Sequence, residues 1–267
     1  MGAFRVYTGE GRPTAIATLA KVFDGVSVVL VGEEHDDSIA HRVEALLFSE
    51  ALRRDPSRPV VLSLEMFERD VQRAVDDYVS GRIDERTFLA ATRPWAEYAT
   101  AYRPLVELAK ARGARVIAAN APRRYVTLVS RDGEPALARL PADTVAVLAP
   151  LPLPPVSAAY RAGFDSVMAE PGQHEGMPAH AFDGQRLWDA AMASAIAGAL
   201  RADRDALVLH VSGGFHVERR LGLPEALGYY RPGTVMLTVT TRAVPDPAEF
   251  DARTIGGLAD FVVLTRK

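Results

Sequence analysis

Short apolar runs rich in β-branched residues recur along the chain, each bounded by polar or turn-forming residues. Runs of this kind, without regular polar alternation, indicate strands that are covered on both faces, as in a parallel sheet. The predicted strands cover residues 26–31, 60–64, 116–119, 144–148, 207–211, 235–239 and 261–264, of which 144–148 has the weakest pattern.

Helical patterns lie between these runs. Residues 38–54 and 183–200 carry apolar side chains at the three- and four-residue spacing of a helix face. Strands that alternate with helices imply crossover connections and a mostly parallel sheet. We therefore predict a single α/β domain over residues 1–267, with a central, mostly parallel sheet and flanking helices.

Two connections are too long for one helix. Residues 66–114, with breaks expected at Gly81 and Pro94, predict a helical insertion that covers the carboxyl-terminal edge of the sheet. Residues 150–180 begin with a proline-rich stretch that cannot be helical and continue as a turn-rich loop. His174 and His180 border that loop and are candidates for a lid.

Composition and charge exclude several kinds of function. The chain has no cysteine, which rules out disulfides, zinc–thiolate sites, thiol catalysis and a lipid-modified cysteine. A net charge of -3 and scattered basic residues argue against nucleic acid as a partner. No apolar run suits a signal peptide or a transmembrane helix, so we expect a cytoplasmic protein, or an envelope protein only if a leader has been removed. The oligomeric state stays open, and a homodimer is compatible with the sequence.

Polar side chains follow four of the predicted strands, where each strand ends. In open α/β sheets, ligands bind beyond the carboxyl ends of the strands. His35 and His216 each stand in a Gly-x-x-His segment, whose glycine is expected to allow a tight turn that aims the imidazole over the sheet. The strand-end residues are Glu33, Glu34, His35, Glu65, Asn120, Arg123 and His216.

The strand-end histidines and one carboxylate form a candidate metal site. We expect His35, Glu65 and His216 to converge on one cleft, where a His/His/Glu set suits Zn²⁺, Fe²⁺ or Mn²⁺. Asp37 stands where the helix over residues 38–54 should begin, and capping is its expected role. His41 lies six residues beyond His35, almost two helical turns, and is expected on the helix surface.

Aromatic and basic residues offer a second kind of site. Trp95, Tyr98 and Tyr102 fall at helical spacing within the insertion. They either pack the insertion onto the sheet or line an apolar cleft for a flat ligand, with a tyrosine oxygen available to iron. Arg69 and Arg123 are candidate clamps for a carboxylate or phosphate, or else take part in ion pairs.

Six segments of the chain form a distinctive combination, namely Gly32–Asp37, Ser63–Gln72, Tyr102–Glu107, Ala119–Arg123, Trp188–Ala193 and Gly213–His216. Together they resemble the ChaN-type haem-binding uptake proteins, and the resemblance extends from about residue 7 to residue 227. That family shares a superfamily with the Tiki metalloproteases, the TraB proteins and the erythromycin esterases. The resemblance implies an α/β fold, paired Gly-x-x-His motifs and a polar site at the strand ends.

The resemblance and the strand-end residues together leave three functions open. The first is a protein that binds haem or iron, with Tyr98 or Tyr102 near the iron and Arg69 or Arg123 near the haem propionates. The second is a metal-dependent hydrolase, and the third is a small-molecule carrier or sensor without catalytic activity. Whether the chain is an enzyme is therefore not decided by the sequence.

The hydrolase hypothesis assigns further roles to the strand-end residues. Glu33 or Glu34 would take a proton from water activated by a metal at His35, Glu65 and His216. Asn120 or Arg123 would stabilise the developing oxyanion. Without a metal, a histidine would serve as the base.

Overall fold

The computed structural model describes residues 3–170 and 176–267. Its centre is a single eight-stranded sheet. The strands are β1 (Phe4–Thr8), β2 (Pro13–Thr14), β3 (Val28–Glu33), β4 (Val60–Glu68), β5 (Arg115–Asn120), β6 (Leu207–Gly213), β7 (Met236–Val244) and β8 (Phe261–Arg266).

The sheet is mostly parallel, as predicted. Its strand order is β2-β1-β8-β7-β3-β6-β4-β5. All neighbours from β8 to β5 run parallel, whereas β1 pairs antiparallel with β8 and β2. The strand that precedes His35, β3, is hydrogen-bonded along its length to β6, which precedes His216. Their carboxyl ends therefore lie side by side at one edge of the sheet.

One strand prediction is wrong, and the first strands of the chain were not predicted. Residues 144–148 do not form a strand, because the short helix Ala142–Ala146 occupies most of this segment. Pro141 precedes that helix and Asp143 lies in its first turn, two features that favour a helix start over a strand. The strand β1, which lies between β2 and β8, was not predicted, since it mixes polar and apolar residues where the prediction relied on continuous apolar runs.

Helices cover both faces of the sheet. The predicted helix over residues 38–54 is confirmed, and the Asp37 carboxylate caps it by accepting hydrogen bonds from the Ile39 and Ala40 amides. The helices are α1 (Ile16–Ala20), α2 (Ser38–Arg54), α3 (Gln72–Val79), α4 (Glu85–Thr92), α5 (Arg103–Arg112), α6 (Arg123–Asp132), α7 (Ala142–Ala146), α8 (Ala158–Met168), α9 (Ala181–Ala202) and α10 (Leu223–Tyr230).

The long connection between β4 and β5 is helical, with the two breaks that were predicted. Gly81 lies between α3 and α4, and Pro94 lies between α4 and a short 3₁₀ turn at Ala96–Ala99. The proline-rich stretch after residue 150 is not helical until α8 begins. No helix within residues 3–170 and 176–267 is both long and apolar enough to span a membrane.

Successive residues of each central strand face different layers of the fold. In β3, Val29 and Val31 pack in the core that includes α2 and α5, while Val28 and Leu30 pack in the core under α9 and α10. The same alternation turns Glu33 toward the α2 layer. In β4 it turns Glu65 toward the α9 layer, so the two carboxylates approach the sheet edge from opposite faces.

Candidate functional site

A cleft of about 1000 Å³ lies at the carboxyl ends of the central strands. Five of the strand-end residues selected from the sequence line it, namely His35, Glu65, Asn120, Arg123 and His216. The loop from Arg93 to Glu97, which belongs to the insertion, forms another part of the wall. The carboxyl ends of β3, β4, β5 and β6 therefore open onto one cleft.

His35 is held by a buried carboxylate. Its Nδ1 lies 2.8 Å from Oε1 of Glu33, while the imidazole is 48% exposed to the cleft. Among the described residues, no hydrogen-bond partner contacts its Nε2. The hydrogen bond to Glu33 raises the pKa of His35, and this effect outweighs the opposing effect of partial burial. His35 thus presents one oriented nitrogen to whatever occupies the cleft.

Glu33 is buried among hydrogen-bond donors. Its Oε1 also accepts a 2.6 Å hydrogen bond from the Tyr102 hydroxyl, and its Oε2 lies 3.1 Å from Nδ1 of His41. Burial alone would raise the pKa of Glu33, but the hydrogen bonds from its neighbours outweigh burial and lower the pKa to about 2. Glu33 is therefore ionised across the physiological pH range.

His41 is buried, contrary to the expectation that it lies on the helix surface. Its Nε2 is 3.1 Å from the His35 backbone oxygen, and its Nδ1 is 3.3 Å from Oε2 of Glu44 on the next turn of α2. Burial lowers the pKa of His41, but Glu33 and Glu44 raise it further, to about 10. Burial and the nearby charge of Glu33 raise the pKa of Glu44.

His216 is held in the same manner from the other face of the sheet. Its Nδ1 lies 2.7 Å from Oδ1 of Asp189 on α9, and its Nε2 lies 3.6 Å from Oε1 of Glu65. Burial lowers the pKa of His216, but the two carboxylates dominate and raise it to about 10. The other oxygen of Glu65 accepts a 2.8 Å hydrogen bond from the Gly213 amide.

Asp189 was not selected as a site residue from the sequence. It accepts a 2.5 Å hydrogen bond from the Tyr160 hydroxyl, and Gln185, one turn earlier on α9, contacts both Tyr160 and His216. A signal was present, because an acidic residue on the apolar face of an otherwise hydrophobic helix requires a buried partner.

His35 and His216 both pack against Gly213. A Cβ built at Gly213 would stand 3.1 Å from Nε2 of His35 and 3.7 Å from Cδ2 of His216. At Gly32, a Cβ would stand 2.5 Å from the Val217 side chain. The backbone of Gly213 is ordinary (φ −55°, ψ 142°), so close packing explains this glycine, and the tight turn expected from the sequence does not.

His35 and His216 each contact one of the two tryptophans of the chain. The His35 ring meets Trp95 edge to face, with 4.9 Å between ring centroids. The His216 ring meets Trp188 in a similar arrangement at 6.4 Å. Both tryptophans line the cleft. The cleft therefore combines the aromatic surface of two tryptophans with the two imidazoles and Glu65.

Three arginines stand at the rim, and two of them are already paired. Arg93 contacts Glu68 and Asp70 at 2.7 Å each, and Arg124 contacts Asp70 at 2.8 Å. The Arg123 guanidinium lines the cleft and has no hydrogen-bond partner among the described residues. Arg123 is therefore the arginine best placed to pair with an acidic group on a ligand.

Two predicted site residues lie elsewhere. Glu34 follows the last residue of β3 and does not line the cleft, and its carboxylate is 3.8 Å from Arg242. Arg69 donates hydrogen bonds to the backbone oxygens of Leu148 and Ala191. It fastens these segments to β4 and does not line the cleft.

The two candidate tyrosine ligands are buried in the core. The Tyr98 ring packs against Phe67 and Phe88, and its hydroxyl has no partner among the described residues. Tyr102 is fully buried and its hydroxyl donates to Glu33. The prediction of helical spacing misses the 3₁₀ turn at Ala96–Ala99, which turns Trp95 alone toward the cleft.

The predicted metal set is not assembled. Ligand atoms of His35, Glu65 and His216 do not all lie within 4.8 Å of one another, and the one such group found among the described residues is Glu33, His41 and Glu44. His180 lies at the start of α9, outside the cleft. His174, the other lid candidate, lies outside the described residues.

The family of the chain follows from a sequence profile. The profile of the haem-binding uptake, Tiki superfamily, ChaN family matches residues 19–227. The chain belongs to the ChaN family. No curated protein matches the chain.

Solved structures share the fold at low sequence identity. The ChaN of Campylobacter jejuni, whose structure concerns cofacial haem binding, superposes with a TM-score of 0.67 at 14% identity over 99% of this chain and 97% of that one. An erythromycin esterase in its open conformation has a TM-score of 0.53 at 10% identity, over 99% and 83% of the two chains. The type III effector HopBA1 has a TM-score of 0.51 at 11% identity, over 94% and 93%. At these identities the likeness concerns the fold alone.

Proposed function

We propose that this ChaN-family protein binds haem in the cleft, with His35 as the iron ligand. The observation that carries the proposal is the state of His35, which is half exposed, oriented through Nδ1 by Glu33 and without a partner at Nε2. A histidine whose second nitrogen is fixed by a carboxylate is a common ligand of iron, and the carboxylate increases its basicity.

The walls of the cleft suit a flat, amphiphilic ligand. Trp95 and Trp188 supply aromatic surface, and Arg123 supplies an unpaired guanidinium for a propionate. A volume of about 1000 Å³ is large for a small-molecule site, since such sites usually span ~300–1000 Å³. The haem described for the ChaN of Campylobacter jejuni gives the ligand its identity in this proposal.

Titration with haemin tests the proposal. The wild-type protein is expected to give a saturable Soret band, and His35→Ala is expected to lose it. His180→Ala is the matched control, because the His180 side chain has the same 48% exposure and lies outside the cleft. If neither variant loses the Soret band, or if both lose it equally, His35 is not the iron ligand.

The surroundings of His216 favour one other function, acid–base hydrolysis without a resident metal. His216 is enclosed by Asp189 and Glu65, and its pKa of about 10 keeps it protonated at neutral pH. A protonated imidazole can donate a hydrogen bond to the oxyanion that forms when water attacks a carbonyl carbon. His35, held by Glu33, would accept the proton of that water at Nε2.

Assays of haem-free, EDTA-treated protein on a panel of 4-nitrophenyl esters test this second function. Hydrolysis is expected to survive EDTA and to fall in both His35→Asn and His216→Asn, while His180→Asn keeps the wild-type rate. Absence of hydrolysis across the panel leaves haem binding as the sole proposal. Activity that EDTA abolishes would instead restore the metal-dependent alternative.

A further inference from the structure

Behind His35, three buried ligand-type side chains meet at a point that haem binding does not use. Glu33 at the end of β3 and His41 and Glu44 on α2 each direct one nitrogen or oxygen toward the others, all within 4.8 Å. We propose that Glu33, His41 and Glu44 form a site for a divalent transition-metal cation, distinct from the cleft.

The separations between the ligand atoms match those around a small cation. His41 Nδ1 lies 3.1 Å from Oε2 of Glu33 and 3.3 Å from Oε2 of Glu44. With metal–ligand bonds of ~2.1 Å, neighbouring ligands stand ~3.0 Å apart in an octahedron and ~3.4 Å apart in a tetrahedron. One nitrogen and two carboxylate oxygens suit Mn²⁺, Fe²⁺ or Zn²⁺.

The hydrogen bonds around the cluster direct Nδ1 of His41 and Oε2 of Glu33 toward the proposed metal position. His41 donates from Nε2 to the His35 backbone oxygen, 3.1 Å away, so its Nδ1 is the atom that faces the carboxylates. Fixing one imidazole nitrogen on a backbone carbonyl is the usual support of a metal-bound histidine. Tyr102 and His35 both bind Oε1 of Glu33, and Oε2 is left to face the cluster.

Two carboxylate oxygens of the cluster are incompletely satisfied. Oε1 of Glu44 is buried and makes no hydrogen bond among the described residues, and Oε2 of Glu33, also buried, makes none beyond its 3.1 Å approach to Nδ1 of His41. Both side chains are fully buried, so water does not reach them from the surface. With both carboxylates ionised and the imidazole neutral, as metal binding requires, the enclosed cluster carries two negative charges that a divalent cation neutralises.

Metal analysis of haem-free protein tests the site. Protein is produced in medium supplemented with manganese, iron and zinc, and its metal content is measured by plasma mass spectrometry. About one equivalent is expected in the wild type, and a loss of roughly tenfold in Glu44→Gln and His41→Asn. Glu50→Gln, a partly exposed position on the same helix, and His35→Ala, which keeps the backbone oxygen, should both retain the metal.

A refolding experiment covers the case in which the cluster variants do not fold. Wild-type protein refolded with MnCl₂ is expected to bind one equivalent and to melt at a higher temperature than protein refolded in EDTA. The proposal would be overturned if folded wild-type protein held no metal both after production in the supplemented medium and after refolding with MnCl₂. In that case hydrogen bonds through shared protons would join the three side chains. Metal lost in His35→Ala but kept in Glu44→Gln would place it in the cleft and overturn the proposal as well. Neither result bears on the Soret band.

Discussion

His35 and His216 both pack against Gly213, although the carboxylates that hold them belong to opposite layers of the fold. Nε2 of His35 and Cδ2 of His216 stand 3.1 and 3.7 Å from the position of a Cβ at Gly213. Glu33 approaches from the α2 layer and Asp189 from the α9 layer. The parallel pairing of β3 with β6 brings the two layers together at one sheet edge.

Gly213→Ala is expected to displace His35 without unfolding the protein. The added methyl group meets the His35 ring at 3.1 Å, while the backbone angles of Gly213 suit alanine. Haem affinity in the Soret titration should fall by about tenfold, which corresponds to about 1.4 kcal/mol. Gly228→Ala on α10 is the control, because open space surrounds that position. Unchanged affinity in Gly213→Ala would show that the ring position is not critical.

Tyr102→Phe and Tyr98→Phe are expected to differ in stability. Tyr102→Phe removes a hydrogen bond to the ionised Glu33, a loss of about 1.5–3 kcal/mol in the free energy of unfolding. Tyr98→Phe removes a buried hydroxyl without a described partner and should cost less than about 0.5 kcal/mol. Denaturant unfolding measures both. Loss of the Soret band in Tyr98→Phe would contradict its assignment to the core.

The stability of the haem-free protein should fall as the pH rises from about 6.5 to about 10. The pKa of His216 is about 10 in the folded state against a usual value of 6.5. The folded protein thus holds this proton more tightly than the unfolded chain, so the stabilisation is complete below pH 6.5 and is lost through pH 10. Each pKa unit is worth about 1.4 kcal/mol.

Asp189→Asn tests the origin of that pH dependence. Removing one of the two carboxylates should lower the pKa of His216, so that the alkaline loss of stability becomes smaller and ends at a lower pH. NMR titration of the imidazole measures the pKa directly. Asp183→Asn, on the same helix and far from His216 in the hydrogen-bond network, should leave the titration unchanged. An identical His216 titration in Asp189→Asn would refute the assigned cause.

Arg123→Gln is expected to weaken the binding of haemin by about five- to tenfold, because a charge-assisted pair with a propionate is lost. The binding of haemin dimethyl ester, which has no free propionate, should not change. Arg124→Gln is the comparison, since Arg124 is already paired with Asp70. An equal loss for both ligands would mean that Arg123 acts through the shape of the cleft and not through charge.

The sequence was sufficient to predict that the strand ends converge. In a parallel sheet all carboxyl ends share one edge, so His35, Glu65, Asn120 and His216 could be placed together without knowledge of the strand order. The same reasoning could not separate Glu33 from Glu34. Both follow the strand closely, and only the layer that each one faces decides that Glu33 meets His35.

Other features of the site depend on packing that the sequence pattern does not record. The spacing of Tyr98 and Tyr102 suggested a shared helix face, but a 3₁₀ turn followed by the start of α5 buries both. His41 was expected on the surface but is buried. It packs against Tyr102, whose ring lies 5.2 Å away and comes from a distant segment, so the local pattern around His41 does not record its burial. Contacts between segments far apart in the chain therefore set the details that local periodicity cannot.

The central claim, that haem occupies this cleft on His35, is tested most directly by one titration read in two ways. Both tryptophans of the chain line the cleft, so haem bound there should quench the intrinsic fluorescence by energy transfer. We predict that quenching and the Soret band saturate at the same haemin ratio, and that His35→Ala reduces both while His180→Ala reduces neither. A Soret band that saturates without quenching, or that survives in His35→Ala, would contradict this prediction.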